Sequence, residues 1–243
     1  MSSSAPHDLI ALHTTDAVGS AAVRCGADTW AQEFGAQGQH APVVLAAVLR
    51  LLEAAEVRLE ALAGIAVTTG PGSFTGIRVG LATAQGLAAA RGWNVWGCDS
   101  LMALAAVHAG ERLPLAVVQD ARRGEVYAAL YDVRGEVPGV RAAPFCASPG
   151  VAAGRLAAAL EAPHVHVVGS GVEILRAPLR DLGVQADTPM ERRATPVARA
   201  LLDLACAGGC RAFEARAVEP TYLRKSDAEI RRQAIPRTGG HRA

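Results

Sequence analysis

Short apolar runs punctuated by glycine and polar residues open the chain, and their spacing sets the first elements. Alternation predicts strands at Leu9–Thr14, Ser20–Cys25 and Thr29–Phe34, with a turn around Gly19 between the first two. The pattern becomes helical from about His40 to Ala55 and returns to a strand at Gly64–Thr69. It then passes through a glycine-rich turn into a helix over Phe74–Arg91. A short strand follows at Asn94–Gly97, and Ser100 is a candidate N-cap for a helix reaching about His108.

The second half restarts the theme. Leu113 to Asp132, "LPLAVVQDARRGEVYAALYD", reads as strand, polar turn and strand, much like "LIALHTTDAVGSAAVRC" from Leu9 to Cys25. A strand near Val140–Cys146 and a helix over Pro149–Leu160 come next, and then "HVHVVGSG" runs from a strand into glycines, as "GIAVTTGPG" does earlier. Two βββαβα halves with slight mutual identity predict a two-lobed α/β protein with a cleft between the lobes. A helix over Thr195–Ala207 and an extended "EPTYLR" complete the chain before its tail. The expected division is 1–108 for the first lobe, 109–223 for the second and 224–243 for a basic, disordered tail.

Composition narrows what such a protein does. The longest unbroken apolar run, Ala41 to Leu49, falls far short of the ~20 residues that cross a bilayer, and "MSSSAPHD" is unlike a signal peptide. A cytoplasmic protein without a membrane partner is expected. Five cysteines without a C-x-x-C argue for reduced thiols, and Cys206 and Cys210, one helical turn apart, read as small buried residues. Net charge is +1, although six basic residues face two acidic ones between Arg224 and Ala243. The only lysine is Lys225, in that tail. This removes a P-loop lysine, a Schiff-base lysine and a kinase strand lysine from the body of the fold.

The stretch "VTTGPGSFTGIRVGLATAQGLA", Val67 to Ala88, has the strand–turn–helix order of a phosphate cradle. Gly70 and Gly72 permit the turn and Ser73 can cap the helix, so these three are candidate anion or nucleotide contacts at a helix N-terminus. The spacing fits no standard cradle. Ile77 follows Gly76 where a Walker loop needs lysine, and Gly70, Gly72 and Gly76 miss the dinucleotide pattern by one residue.

Further along, Gly76, Gly80, Ala84 and Ala88 recur every four residues and predict a smooth helical face against which another helix can lie. The helix from His40 is apolar nearly all round. A partner surface is therefore expected on the two helices, through His40, Val44, Leu45, Val48, Leu51 and Leu52 on the first and Gly76, Ile77, Gly80, Leu81 and Ala84 on the second.

No catalytic set assembles. There is no H-x-x-x-H and no G-x-S-x-G, and His164 with His166 provides two ligands on one strand face without a third. Asp16, Asp99 and Asp120 stand at strand ends where each can face the cleft or serve a turn.

"GPGSFTGIRVGLATAQGLA" resembles the signature segment of the TsaB (YeaZ) family, with "DARRGEVYAALYD", "VGSG" and "PTYLR" in matching order, so the similarity runs from about Leu9 to Arg224. The resemblance implies the two-lobed actin/sugar-kinase/Hsp70-like (ribonuclease H-like) fold and a role in making threonylcarbamoyladenosine beside the anticodon of tRNA. It implies a non-catalytic subunit that pairs with a larger TsaD-like catalytic paralogue, joined by a TsaE-like ATPase, and that also self-associates through its first-lobe helices. Such a chain is expected to bind no cofactor alone, with ATP and a metal belonging to its partners and tRNA reached through the complex. The family's first strand usually ends in Asp-Thr-Ser, whereas here it ends in His13-Thr14-Thr15. A histidine cannot replace a carboxylate for magnesium, which counts against the alternative, a small-molecule kinase or ATPase of the same fold.

Overall fold

The computed structural model describes residues 8–35, 40–189 and 195–224, without the side chains of residues 40 and 41. Among them, β1 (Leu9–His13), β2 (Gly19–Cys25) and β3 (Asp28–Phe34) form an antiparallel meander, followed by α1 (His40–Ala54) and a 3-10 turn at Leu59–Ala61. Next come β4 (Gly64–Thr68), α2 (Phe74–Arg91), β5 (Asn94–Cys98) and α3 (Ser100–Ala106). β4 pairs parallel to β1, and β5 parallel to β4. The second half repeats this arrangement. β6 (Leu115–Arg122), β7 (Glu125–Asp132) and β8 (Gly139–Ala147) form the meander, α4 (Pro149–Ala158) follows, and β9 (His164–Val168) returns parallel to β6. α5 (Val172–Asp181) leads to β10 (Gln185–Asp187), parallel to β9.

Strand order 3-2-1-4-5 in one sheet is thus mirrored by 8-7-6-9-10 in the other, and both expected βββαβα halves are present. The ending differs from expectation. α6 (Val197–Cys206) and β11 (Arg211–Glu214) return to the first sheet, where β11 pairs antiparallel to β5. The second sheet therefore ends at Asp187, and residues 197–214, expected within the second lobe, pack with the first sheet. The expected extended run at "EPTYLR" carries no strand. Most of the tail lies outside the described residues, but Arg224 is anchored, as shown below.

Alternation in β1 explains the layering. Ile10 and Leu12 point to a core shared with α1 and α2, while Leu9 and Ala11 point to one shared with α6. In the second sheet, Ala116 and Val118 face α4 and α5, and Leu115 and Val117 face Leu101 and Ala105 of α3. Each sheet thus has helices on both faces.

The ends of α2 are set chemically. Ser73 Oγ accepts from the Gly76 amide at 3.2 Å, and Gly92, at φ 68°, closes the helix in the left-handed region. For α3 the cap is Asp99, whose Oδ1 accepts from the Leu101 and Met102 amides at 2.8 and 3.0 Å. Ser100 is instead the first helical residue and is buried.

The small-residue strip of α2 lies on the chain's own first sheet, which corrects the helix–helix reading. A Cβ on Gly76 would fall far inside contact of the Thr14 carbonyl oxygen, and one on Gly80 would overlap Thr14 Oγ1. Thr14 Oγ1 donates to the Gly76 carbonyl at 2.7 Å, so the two segments are also bonded at closest approach. Gly86, on the opposite side of α2, has open space where a Cβ would stand. Gly76→Ala is expected to lower unfolding stability by about 3 kcal/mol through overpacking. Gly86→Ala is expected to raise it by up to about 1 kcal/mol through helix propensity. Chemical denaturation of both variants checks the contrast.

Candidate functional site

Two surfaces stand out, a cleft between the lobes and the outer face of α1 and α2. The cleft encloses about 900 Å³. Its first wall is the turn after β1 (Thr15 to Val18) together with Gly72, Ser73 and Phe74, and its second is Gln119 to Arg122 with Tyr127 and the Gly169–Ser170 loop. Equivalent turns of the two halves thus face each other.

At the bottom, His13 is fully buried, with Nε2 3.0 Å from Asp16 Oδ2 and Nδ1 3.3 Å from Thr68 Oγ1. An ionised carboxylate only accepts, so the Nε2 proton points to Asp16, and in the neutral ring Nδ1 accepts from the Thr68 hydroxyl. Asp16 Oδ1 in turn accepts from Gln119 Nε2 of the other lobe. Asp16, three residues after His13, thus brings a carboxylate to the cleft that is engaged by both His13 and Gln119.

Three amides of the glycine turn are used internally. Ser73 N–H donates to the Thr15 carbonyl at 2.8 Å, Gly70 N–H to Ser100 Oγ at 3.1 Å, and Gly76 N–H to Ser73 Oγ. A Cβ on Gly72 would collide with Thr15, and one on Gly70 with the Thr221 carbonyl oxygen. These glycines thus permit close backbone packing, while Gly72 and Ser73 still border the cleft.

Of the three aspartates read from strand ends, Asp16 and Asp120 line the cleft and Asp99 does not. Asp120 accepts from the Arg122 amide at 2.7 Å and its own amide donates to Ser170 Oγ at 3.0 Å, which ties the β6–β7 turn to the glycine loop after β9. The two histidines of β9 are placed apart from the cleft, His164 paired with Asp187 at 2.7 Å.

The cleft is bridged by a segment whose role the sequence pattern concealed. Thr221 N–H donates to the Thr69 carbonyl at 2.8 Å. Tyr222 stacks on Phe74 at 5.1 Å and accepts from Arg78 Nε at 3.3 Å. Arg224 then crosses to the second lobe, donating to the Ala121 carbonyl at 2.7 Å and pairing with Glu125 at 3.6 Å. Residues 219–224 therefore strap the first lobe to the β6–β7 turn. Residues this far apart in sequence reveal no pairing through periodicity; the only sequence signal was the "PTYLR" motif itself.

On the other surface, the residues expected to meet a partner mostly face inward. Val44, Val48, Leu51 and Leu52 of α1 and Gly76, Ile77, Gly80, Leu81 and Ala84 of α2 are buried in this chain's own core. Of the expected set, Leu45 is turned outward, and the His40 side chain lies outside the described residues. The physical reason is that one sheet and two helices already bury that face. The exposed residues include Leu45 (47%) and Leu49 (55%) with Arg50 and Glu53 on α1, and Phe74, Arg78 and the small residues Ala82, Gly86, Ala89 and Ala90 on α2.

A family model described as TsaD, tRNA N6-adenosine threonylcarbamoyltransferase, matches residues 34–232. The chain belongs to the TsaD family. Within it, the chain is similar to TsaB/YeaZ proteins. The Escherichia coli tRNA threonylcarbamoyladenosine biosynthesis protein TsaB is 38% identical over 96 residues, 38% of this chain and 41% of that protein. An uncharacterized protein of Mycobacterium tuberculosis is 41% identical over 106 residues, 43% of this chain and 49% of that protein. The chain spans about half or less of the curated relatives it matches. The solved structure of YeaZ from Pseudomonas aeruginosa shares 28% identity at a TM-score of 0.75, covering 90% of this chain and 100% of that one. The two-lobed fold is thus that of YeaZ. Among the described residues of this TsaD-family chain, no helix is long and apolar enough to cross a membrane.

Asp99 makes the junction between β5 and α3 sensitive to pH. Burial pushes its carboxyl up from the ordinary 3.8 to about 6, against the lowering effect of the amides it caps. The folded protein holds a proton here that the unfolded chain releases, so stability falls as pH rises from about 4 to about 6. Asparagine retains the cap without the charge. The stability of Asp99→Asn is therefore expected to gain on the wild type by up to about 3 kcal/mol between pH 4 and pH 7. Urea titrations at the two pH values measure this difference.

Proposed function

We propose that this chain is a non-catalytic subunit that docks a TsaD-like catalytic paralogue through the outer face of α1 and α2, in the complex that makes threonylcarbamoyladenosine in tRNA. The observation that carries this reading is the outward pair Leu45 and Leu49, one helical turn apart and about half exposed, beside a flank of α2 built from alanine and glycine. The leucine pair and the low relief of the small residues suit close helix–helix packing, with the exposed Arg50 and Glu53 of α1 and Arg78 of α2 as a polar rim. Family membership and the names of the TsaB relatives support the pathway.

On this reading a TsaE-like ATPase joins the pair, tRNA is reached through the complex, and a second copy of the chain occupies the same face when the paralogue is absent. ATP and metal belong to those partners. The alternative, a kinase or ATPase working in the cleft, gains little support from a cleft floor whose carboxylate is already held by His13 and Gln119.

Because Gly80 and Ala84 are core residues, large substitutions there would unfold the first lobe and test nothing about docking. Leu45→Asp with Leu49→Asp tests it cleanly. The double variant is expected to keep wild-type stability within about 0.5 kcal/mol, as surface changes do, and to lose co-elution with the TsaD-like paralogue of the same cell. Co-elution of a folded double variant at wild-type stoichiometry would overturn the proposal.

A further inference from the structure

Two cysteines that no part of the proposed function uses are brought face to face by the return of β11. The β5–β11 ladder pairs Arg211 with Gly97, so the next step of the same antiparallel register sets Cys210 opposite Cys98. The carbonyl of Cys98 accepts from the Thr69 amide at 2.8 Å on the β4 side. In a strand, the N–H and C=O of one residue point the same way, so Cys98 directs neither toward β11. Cys98 and Cys210 are therefore a non-hydrogen-bonded pair, the kind in which opposed Cα atoms approach to about 4.5 Å. That spacing falls within the roughly 4.4–6.8 Å that a disulfide spans. Both side chains also share one face of the sheet, since Cys98 belongs to the apolar cluster beneath α6 and Cys210 packs against it.

The other thiols are placed differently. Cys206 Sγ accepts from Arg24 Nη1 at 3.1 Å, Cys25 ends β2 at its β3 turn, and Cys146 lies in β8 of the second sheet.

We propose that Cys98 and Cys210 form a peroxide-sensitive dithiol site that closes to a disulfide and pins β11 to β5. The two thiols differ in their access to peroxide. Cys98 is buried, and its hydrogen bond with Cys210, followed by burial, pushes its thiol well above the ordinary range. Cys210 is partly open to solvent. The Cys210 thiolate attacks one oxygen of hydrogen peroxide, forming a sulfenic acid as the O–O bond breaks and hydroxide leaves. Cys98 sulfur then attacks the Cys210 sulfur and displaces its hydroxyl, which departs as water with the Cys98 proton. Two thiols and one peroxide give one disulfide and two waters.

The consequence reaches the cleft. Phe213 and Val218 both pack over Gly97, and the Val218 carbonyl accepts from Gln85 at 3.1 Å, so β11 is the root of the strap that continues to Arg224. Oxidation would fasten that root to the first sheet covalently.

The full 243-residue chain, reduced and then exposed to hydrogen peroxide, provides the test. Reactive thiols under denaturing conditions should fall from five to three, a non-reduced peptide map should contain Cys98 joined to Cys210, and dithiothreitol should restore all five. In Cys98→Ala, Cys210 should stop at a sulfenic acid that dimedone captures. Should that core variant fold poorly, Cys210→Ser serves instead and should form no disulfide within the chain. Five persistent thiols, a bond through Cys206, or only linkage between chains would overturn the assignment.

Discussion

The close approach of α2 to the end of β1, at Gly76 and Gly80 against Thr14, is the constraint on which the rest of the molecule depends. Without Cβ atoms at those positions, the helix lies almost on the sheet, and the Thr14 hydroxyl bonds directly to the Gly76 carbonyl. That one contact sets the height and rotation of α2. It puts Ser73 and Phe74 at the cleft rim and turns Gly86 and Ala82 to the outside. The glycine turn is shaped by the same packing, and the amides of Ser73, Gly76 and Gly70 serve Thr15, Ser73 and Ser100.

From this seat the two candidate surfaces follow. The inner ends of the elements meet across a cleft whose floor is a chain of hydrogen bonds from Thr68 through His13 and Asp16 to Gln119. Since Gln119 belongs to the second lobe, the chain ties the lobes together as well as occupying the carboxylate. The strap at residues 219–224 makes a second tie, through an aromatic stack worth about 0.5–1.5 kcal/mol beyond burial and through Arg224 on the β6–β7 turn. Two interlobe ties suit a body that presents a fixed surface to a partner better than one that opens and closes on a substrate.

Much of this was legible in the chain before its coordinates. Short apolar runs bounded by glycine or polar turns located β1, β2 and β3 within a residue and marked the hairpin of β6 and β7. β1, β2 and β6 are nonetheless buried on both faces and show little alternation. The repeat between halves was visible because equivalent strands run into equivalent turns. What was hidden depended on tertiary packing. The four-residue spacing of Gly76, Gly80 and Ala84 marks a close contact but does not say with what, and the contact proved to be the chain's own sheet. β11 is too short and too polar to stand out until β5 supplies its edge. The strap escaped notice because Phe74 and Tyr222, which form its stack, lie in opposite halves of the sequence.

The central claim, that the outer face of α1 and α2 is where the catalytic paralogue docks, is tested most directly by amide hydrogen exchange of this chain alone and in complex with its TsaD-like paralogue. The account predicts slowed exchange across residues 42–54 and 74–91, with the β6–β7 turn at 120–124 unchanged. Protection confined to that turn and the strap, with α1 and α2 exchanging as in the free chain, would contradict it.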